Sequence, residues 1–92
     1  MPRWIAIGRA EGWDDLGRFT TEMKGTPNWR VDPKTTITTV FALADGRVMA
    51  ECHAPSQADF DEWLKKRGWK VESVAQIRHV AKAGDIWDAT KN

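Results

Sequence analysis

The pattern of hydrophobic residues along the 92-residue chain predicts a single α+β domain. Three observations support this class: four stretches alternate like strands, two stretches repeat apolar residues at helical spacing, and an Asp-Gly turn signal joins the two middle strands. We expect one domain, residues 1–92, because a chain of this length holds one core.

The first strand and the first helix precede a proline-bracketed loop. Residues 3–9 alternate around Ile5 and Ile7, which predicts a strand. Residues 13–24 carry an apolar stripe at helical spacing and end at Lys24-Gly25, a cation followed by a glycine. We therefore expect a strand and then a helix.

The middle of the chain contains a loop and a hairpin. Residues 26–34 hold Pro27, Trp29 and Pro33, and this longest irregular stretch is the expected functional loop. Residues 35–43 and 47–54 alternate as strands on either side of Asp45-Gly46. The pair is predicted to form an antiparallel hairpin.

The last third predicts a helix and a strand. Ser56 suits a helix N-cap, and Phe60, Trp63 and Leu64 form the apolar stripe of a helix that Gly68 ends. Residues 71–82 read as the last strand, followed by a turn at Ala83-Gly84-Asp85 and a short tail that begins at Ile86-Trp87.

The predicted order is strand, helix, two strands, helix, strand, which is the ferredoxin-like βαββαβ arrangement. It implies a four-stranded antiparallel sheet with both helices on one face, so that the other face is uncovered within one chain. What occupies that uncovered face decides the functional argument.

Composition limits the classes of function. The net charge is +1, which supplies no field for gripping a nucleic-acid backbone. Cys52 is the single cysteine, so no intrachain disulfide forms, and we expect a cytoplasmic protein with no membrane partner. The sequence has no phosphate-cradling glycine loop, no C-x-x-C and no H-E-x-x-H motif. Six tryptophans and no tyrosine indicate either a core filled with large residues or a pocket lined by some of them.

Strand alternation assigns the two faces of the predicted sheet. The helix-side face is expected to hold Ile5, Ile7, Val48, Ala50, Cys52, Ala54, Ala75, Ile77 and His79. The uncovered face is expected to hold Trp4, Met49, Glu51, His53, Gln76, Arg78 and Val80. This mixed set suits either an interface with a second chain or the wall of a ligand cavity.

The pair Glu51 and His53 is the sharpest chemical feature. At positions i and i+2 of a strand they share a face, as a general base and its orienting group do, or as two ligands of a metal do. An interface histidine held by a carboxylate is the simpler interpretation. We expect Trp4, Trp29, Glu51, His53 and Arg78 to bind a small aromatic or carboxylate-bearing ligand. A divalent transition metal would instead use Glu51, His53 and His79, completed by a second chain.

The stretch Met49-Ala50-Glu51-Cys52-His53-Ala54-Pro55-Ser56, followed by Phe60 and Trp63-Leu64, resembles the strand-to-helix passage of the dimeric α/β-barrel superfamily. It is similar to small uncharacterised bacterial domains of this group, which include a nickel-binding member. The resemblance implies ferredoxin-like chains that pair sheet to sheet as homodimers. No ligand set matches residue by residue, so no catalytic or metal role carries over.

Three functions stay open from the sequence. The first is a homodimer that binds, and in one version transforms, a small molecule on the uncovered face. The second is a metal-binding or accessory protein without catalysis. The third is a protein–protein interaction module whose uncovered face meets a different protein. The sequence does not decide whether the protein is an enzyme.

Overall fold

A computed structural model of the chain describes residues 2–25 and 29–88, with Trp87 described by its backbone alone. Its elements are β1 (Arg3–Arg9), α1 (Leu16–Met23), β2 (Arg30–Asp32), β3 (Thr35–Ala42), β4 (Arg47–His53), α2 (Gln57–Lys66), β5 (Lys70–Gln76), β6 (His79–Lys82) and β7 (Asp85–Asp88).

The strands form two sheets. Strands β1 to β5 make a five-stranded antiparallel sheet in the order β2-β3-β4-β1-β5, and β6 pairs with β7 in a separate two-stranded sheet. The α+β class is as predicted, but the four-stranded ferredoxin-like layout is wrong. An extra edge strand and an extra hairpin distinguish the observed fold from it.

Both differences arise where the sequence gives weak boundary signals. The predicted strand 71–82 is interrupted at Ile77-Arg78, where the chain leaves β1 after a last bond from Ile77 N to Arg3 O of 2.8 Å. No glycine or proline marks this break. Part of the predicted loop 26–34 instead forms β2, and residues 26–28 lie outside the described part.

The residues at the turns account for the two hairpins. Strands β3 and β4 pair across the Asp45-Gly46 turn, as predicted. Strands β6 and β7 are joined by Ala83 and Gly84, which both have positive φ, at 49° and 96°. Two such residues make the turn whose twist suits a two-residue hairpin. The predicted tail therefore forms β7 over Asp85–Asp88, and residues 89–92 lie outside the described part.

Strand β4 lies as predicted. Val48, Ala50 and Cys52 are buried among the helices, whereas Met49, Glu51 and His53 point to the opposite face. The latter face of the five-stranded sheet, opposite the helices, is called the open face from here on. The agreement follows from the small, apolar character of every second residue in β4.

The side chains of strand β1 lie on the opposite faces of the sheet from those predicted. Its register places Trp4 beside Cys52 and Ala6 beside Ala50, so that Trp4 lies on the helix side, where its Nε1 donates to Ala54 O at 3.0 Å. Ile5 and Ile7 consequently lie on the open face. The isoleucines suggested the core, but the helix side of β1 holds Trp4, Ala6 and Gly8. Large side chains from the helices and loops, among them Trp13, Phe60 and Trp63, fill the rest of the buried cluster.

The same reversal extends to β5. Gln76 pairs with Trp4 and lies on the helix side, whereas Ala75 pairs with Ile5 and lies on the open face. Both assignments are therefore corrected. Paired residues on neighbouring strands lie on the same face of a sheet, so the reversed faces of β1 also reverse the faces of its partners on β5.

The helices share one buried cluster with the inner residues of β1, β3 and β4. Met23 of α1 and Phe60, Trp63 and Leu64 of α2 belong to this cluster. Asp15 caps α1 by accepting a hydrogen bond from Arg18 N at 2.8 Å, so the helix starts later than the predicted residue 13. Ser56 occupies the N-cap position of α2, as predicted. Within the described residues, no helix is long and apolar enough to cross a membrane.

Candidate functional site

A groove of about 320 Å³ lies between the open face and β6. It is lined by Ile5 of β1, Thr39 and Phe41 of β3, residues 49–51 of β4 and residues 80–82 of β6. This volume falls at the small end of the range for ligand pockets, and most of the lining side chains are apolar. We call this feature the open-face groove.

Glu51 is the carboxylate of the open-face groove. Thr38 Oγ1 donates to Glu51 Oε1 at 2.6 Å, and Arg3 Nη1 lies 3.8 Å from Glu51 Oε2, with both charged side chains 25% exposed. An irregularity in the β3–β4 register between Ile37 and Thr39 leaves Thr38 without a partner of its own in β4, which brings its hydroxyl beside Glu51. The carboxylate is therefore fixed in orientation and largely compensated in charge.

His53 lies two residues from Glu51 on the same face. Its cross-strand neighbours are Arg3 on β1 and Thr36 on β3. Its Nε2 atom is buried and has no hydrogen-bond partner among the described residues. Burial, reinforced by the Arg3 guanidinium and opposed by Glu51, lowers the pKa of His53 below its usual value of 6.5. Folding therefore disfavours protonation of the His53 imidazole relative to the unfolded chain.

The lowered pKa of His53 predicts a pH dependence of stability. In the unfolded chain His53 takes up a proton near pH 6.5, whereas in the folded protein it does so only at a lower pH. Between these two pH values the unfolded state therefore binds more protons than the folded state. We expect the free energy of unfolding to fall as pH drops below about 6.5, and to fall less in His53→Gln. Urea unfolding of both proteins from about pH 7 to about pH 5 measures this difference. Equal pH slopes in the two proteins would contradict it.

The structure does not bring the other predicted ligand-binding residues to this groove. Trp4 lies on the helix side. Trp29 packs against the core, and its Nε1 donates to Met23 O at 2.6 Å. Arg78 is exposed in the connection between β5 and β6. Of the five expected residues, Glu51 lines the groove and His53 adjoins it in the strand.

The metal hypothesis gains no geometric support. His79 lies at the start of β6, and its Nδ1 is 4.0 Å from Asp88 Oδ1. Across residues 2–25 and 29–88, no three His, Cys, Asp or Glu side chains come together as a possible metal site, so Glu51, His53 and His79 do not form one. A metal shared between two chains stays a prediction.

Cys52 is a buried thiol. It is 0% exposed beneath the helices, and desolvation, with smaller effects of Asp32 and Asp59, raises its pKa to about 12. A thiol of this kind is protonated at neutral pH and is a poor nucleophile. Its role is that of a small apolar residue, and it takes no part in the open-face groove.

A second depression, of about 420 Å³, lies where several turns meet at the end of the sheet. Arg9, Glu11, Asp14 and Lys70 give it charges of both signs around glycine-rich backbone. Arg9 already lies 3.6 Å from the Glu72 carboxylate. Although this depression is larger, its composition follows from turn chemistry, so the open-face groove is the better candidate site.

Several groove residues escaped the sequence analysis. Ile5 was expected on the helix side, and neither Phe41 nor Lys82 was expected at a site. The two partners of the Glu51 carboxylate, Arg3 and Thr38, were not predicted either. For β1 there was a usable signal: small residues on neighbouring strands share the crowded face, so Ala6 and Gly8 belong with Ala50 and Val48. No local signal located the register irregularity at Thr38.

No protein-family model matches this chain, and comparisons with curated proteins and with solved structures find no match either. The resemblance to the dimeric α/β-barrel superfamily therefore stays a prediction.

Proposed function

We propose that the protein binds a small molecule with an apolar, preferably aromatic, body and a carboxylate in the open-face groove. The observation that carries this proposal is an apolar groove with a compensated carboxylate, Glu51, and a cation, Lys82, that forms no ion pair with any residue of the described part.

The walls of the groove suit an apolar body. Ile5, Met49 and Val80 contribute aliphatic surface, and Phe41 is 55% exposed although it is a large hydrophobic residue. An exposed aromatic side chain beside other apolar groups is typical of a surface that meets a ligand or a partner. A flat ring that covers Phe41 would remove this surface from water.

The charges favour an anion. Glu51 is compensated by Arg3 at 3.8 Å and by Thr38, so it adds little net negative charge. Lys82 borders the same groove and forms none of the ion pairs found among the described residues, although Asp85 is its cross-strand neighbour. The excess charge beside the groove is therefore positive, and a carboxylate supplies the complement.

We propose binding rather than a reaction. The contacts of Glu51 with Thr38 and Arg3 hold its carboxylate in place and offset its charge, which suits a fixed wall of a binding site. We also propose a cytoplasmic setting, which is supported by Cys52 being the single cysteine and a free, buried thiol.

The test uses three probes with one ring system: 2-naphthoate, 2-naphthylmethanol and 2-naphthylmethylammonium. We expect 2-naphthoate to bind most tightly in calorimetric titrations. Lys82→Gln should weaken it about fivefold, the effect of one exposed ion pair. Phe41→Ala should weaken all three probes because it removes the aromatic wall.

Matched controls separate the groove from general effects. Lys66→Gln changes an exposed lysine of α2, and Leu16→Ala changes a side chain that is 77% exposed on α1, so neither variant should alter binding. Amide shift changes on 2-naphthoate addition should concentrate in residues 49–51 and 80–82. A preference for the ammonium probe would reverse the charge argument, and failure of all three probes to bind would refute the proposed function.

A further inference from the structure

The β6–β7 hairpin is attached to the five-stranded sheet by a short connection. Strands β6 and β7 form a two-stranded sheet of their own, separate from the five-stranded one. The chain leaves β1 after the hydrogen bond from Ile77 N to Arg3 O at 2.8 Å, and the next residue, Arg78, is exposed. Residues at the end of an element are where a hinge absorbs a change of backbone angles, and Ile77 and Arg78 hold that position here.

Little of the hairpin is packed against the five-stranded sheet. Within residues 2–25 and 29–88, none of the hydrogen bonds and ion pairs found joins residues 79–86 to that sheet. Among the same described residues, the buried core includes none from 79–86. In β6 every residue except Val80 is exposed, and Val80 is half-buried at the groove. The hairpin is therefore held beside the open face mainly through Val80.

We propose that the β6–β7 hairpin is a lid of the open-face groove, which turns about Ile77 and Arg78. The structure shows the closed position, in which residues 80–82 form one wall of the groove. In the open position the side chains of β1, β3 and β4 on the opposite wall meet solvent, and a ligand enters there. The motion itself is independent of any ligand, whereas its role in admitting one rests on the proposed function.

The pairing within the hairpin favours a motion of the whole unit. All four residues of β6 pair with β7, from His79 with Asp88 to Lys82 with Asp85, and the turn between the strands has the twist that suits them. An isolated two-stranded hairpin is only marginally stable, so we expect the closed position to be the more populated one. A ligand that fills the groove contacts Val80 in the closed position alone, and it therefore shifts the population toward closure.

Distances between two spin labels measure the position of the lid. Asp85→Cys places a label on β7, and Glu62→Cys places one on α2, on the other side of the five-stranded sheet. Cys52 is 0% exposed and stays unlabelled. Opening moves residue 85 away from the sheet, so the free chain should show a second, longer distance that 2-naphthoate removes. The control pair Ala42→Cys and Glu62→Cys lies outside the hairpin and should show one distance in both states.

Two substitutions within the hairpin separate closure from a general effect. Val80→Ala removes part of the apolar side chain that lies at the groove, so the ratio of open to closed molecules should rise about fourfold. Ile86→Ala changes a side chain that is 79% exposed and is not among the groove residues, so this ratio should not change.

The free chain and the bound chain test different steps. A single distance in the free chain and in Val80→Ala alike would overturn the proposed lid. So would a longer distance that persists while 2-naphthoate is bound, since the hairpin would then move without closing over the ligand. If 2-naphthoate does not bind, the proposed function fails, and a longer distance in the free chain that grows in Val80→Ala still supports the hinge.

Discussion

Trp63→Ala should lower the free energy of unfolding by about 3–5 kcal/mol, the usual cost of deleting a large buried aromatic side chain. Trp63 is 2% exposed, and its ring centroid lies 6.3 Å from that of Phe60 and 5.7 Å from that of Trp69. Trp69 in turn contacts Trp13 edge to face at 5.4 Å. Trp63 therefore connects α2 with the segments that precede β5 and α1.

The expected loss is a large part of the total free energy of unfolding. Small domains have an unfolding free energy of only about 5–15 kcal/mol, so Trp63→Ala should unfold at a much lower urea concentration or be partly unfolded in buffer. Trp63→Phe keeps an aromatic ring and should retain most of the stability. Urea titrations followed by far-ultraviolet circular dichroism measure both. A midpoint for Trp63→Ala equal to that of the unaltered chain would show that this cluster does not hold the helices.

The tryptophan content was informative but open to two interpretations, and the structure favours one of them. Trp13, Trp63 and Trp69 are buried in the core, while Trp4 and Trp29 pack against it from partly exposed positions. None of these five side chains lines the open-face groove. Large rings in a small chain mainly fill volume, and position along the sequence does not reveal which of them remain accessible.

Strong local patterns predicted the elements well. The β3–β4 hairpin followed from strict alternation on both sides of Asp45-Gly46, and α2 followed from an apolar stripe with a glycine after it. The faces of β4 were also correct because its small and large residues alternate without exception. In these segments the local chemistry and the tertiary environment point to the same answer.

The wrong predictions concern residues whose environment is set by distant parts of the chain. The orientation of β1 depends on which segments crowd it, and Ile5 gives no information about that. The break at Ile77-Arg78 depends on where β5 runs out of partner atoms on β1. The groove exists because β6 returns beside the open face, and one continuous strand over 71–82, as the sequence predicts, does not form that wall.

Gly8→Ala should be the most damaging small substitution in the sheet. A Cβ at residue 8 would collide with Lys70 O and lie 2.9 Å from Val71 Cα, and both are backbone atoms that cannot rotate away. Alanine in a strand would otherwise be about 0.5–1 kcal/mol more favourable than glycine, so steric overlap and propensity oppose each other here. Overlap with backbone prevails, and we expect a net loss of about 2–3 kcal/mol.

The effect of Gly8→Ala on hydrogen exchange should be largest in β5 and the residues that follow it. Because β5 leads to β6 through Ile77 and Arg78 alone, displacement of β5 should also disturb the wall of the open-face groove formed by residues 80–82. Hydrogen exchange in 70–76 should accelerate more than in 47–53. Gly68→Ala is the comparison: its φ of 74° imposes backbone strain of roughly 1–2 kcal/mol, but its Cβ meets nothing within 4 Å. We expect Gly68→Ala to accelerate hydrogen exchange evenly along the chain. If Gly8→Ala did the same, the close approach of β5 to β1 would not determine the position of the groove wall.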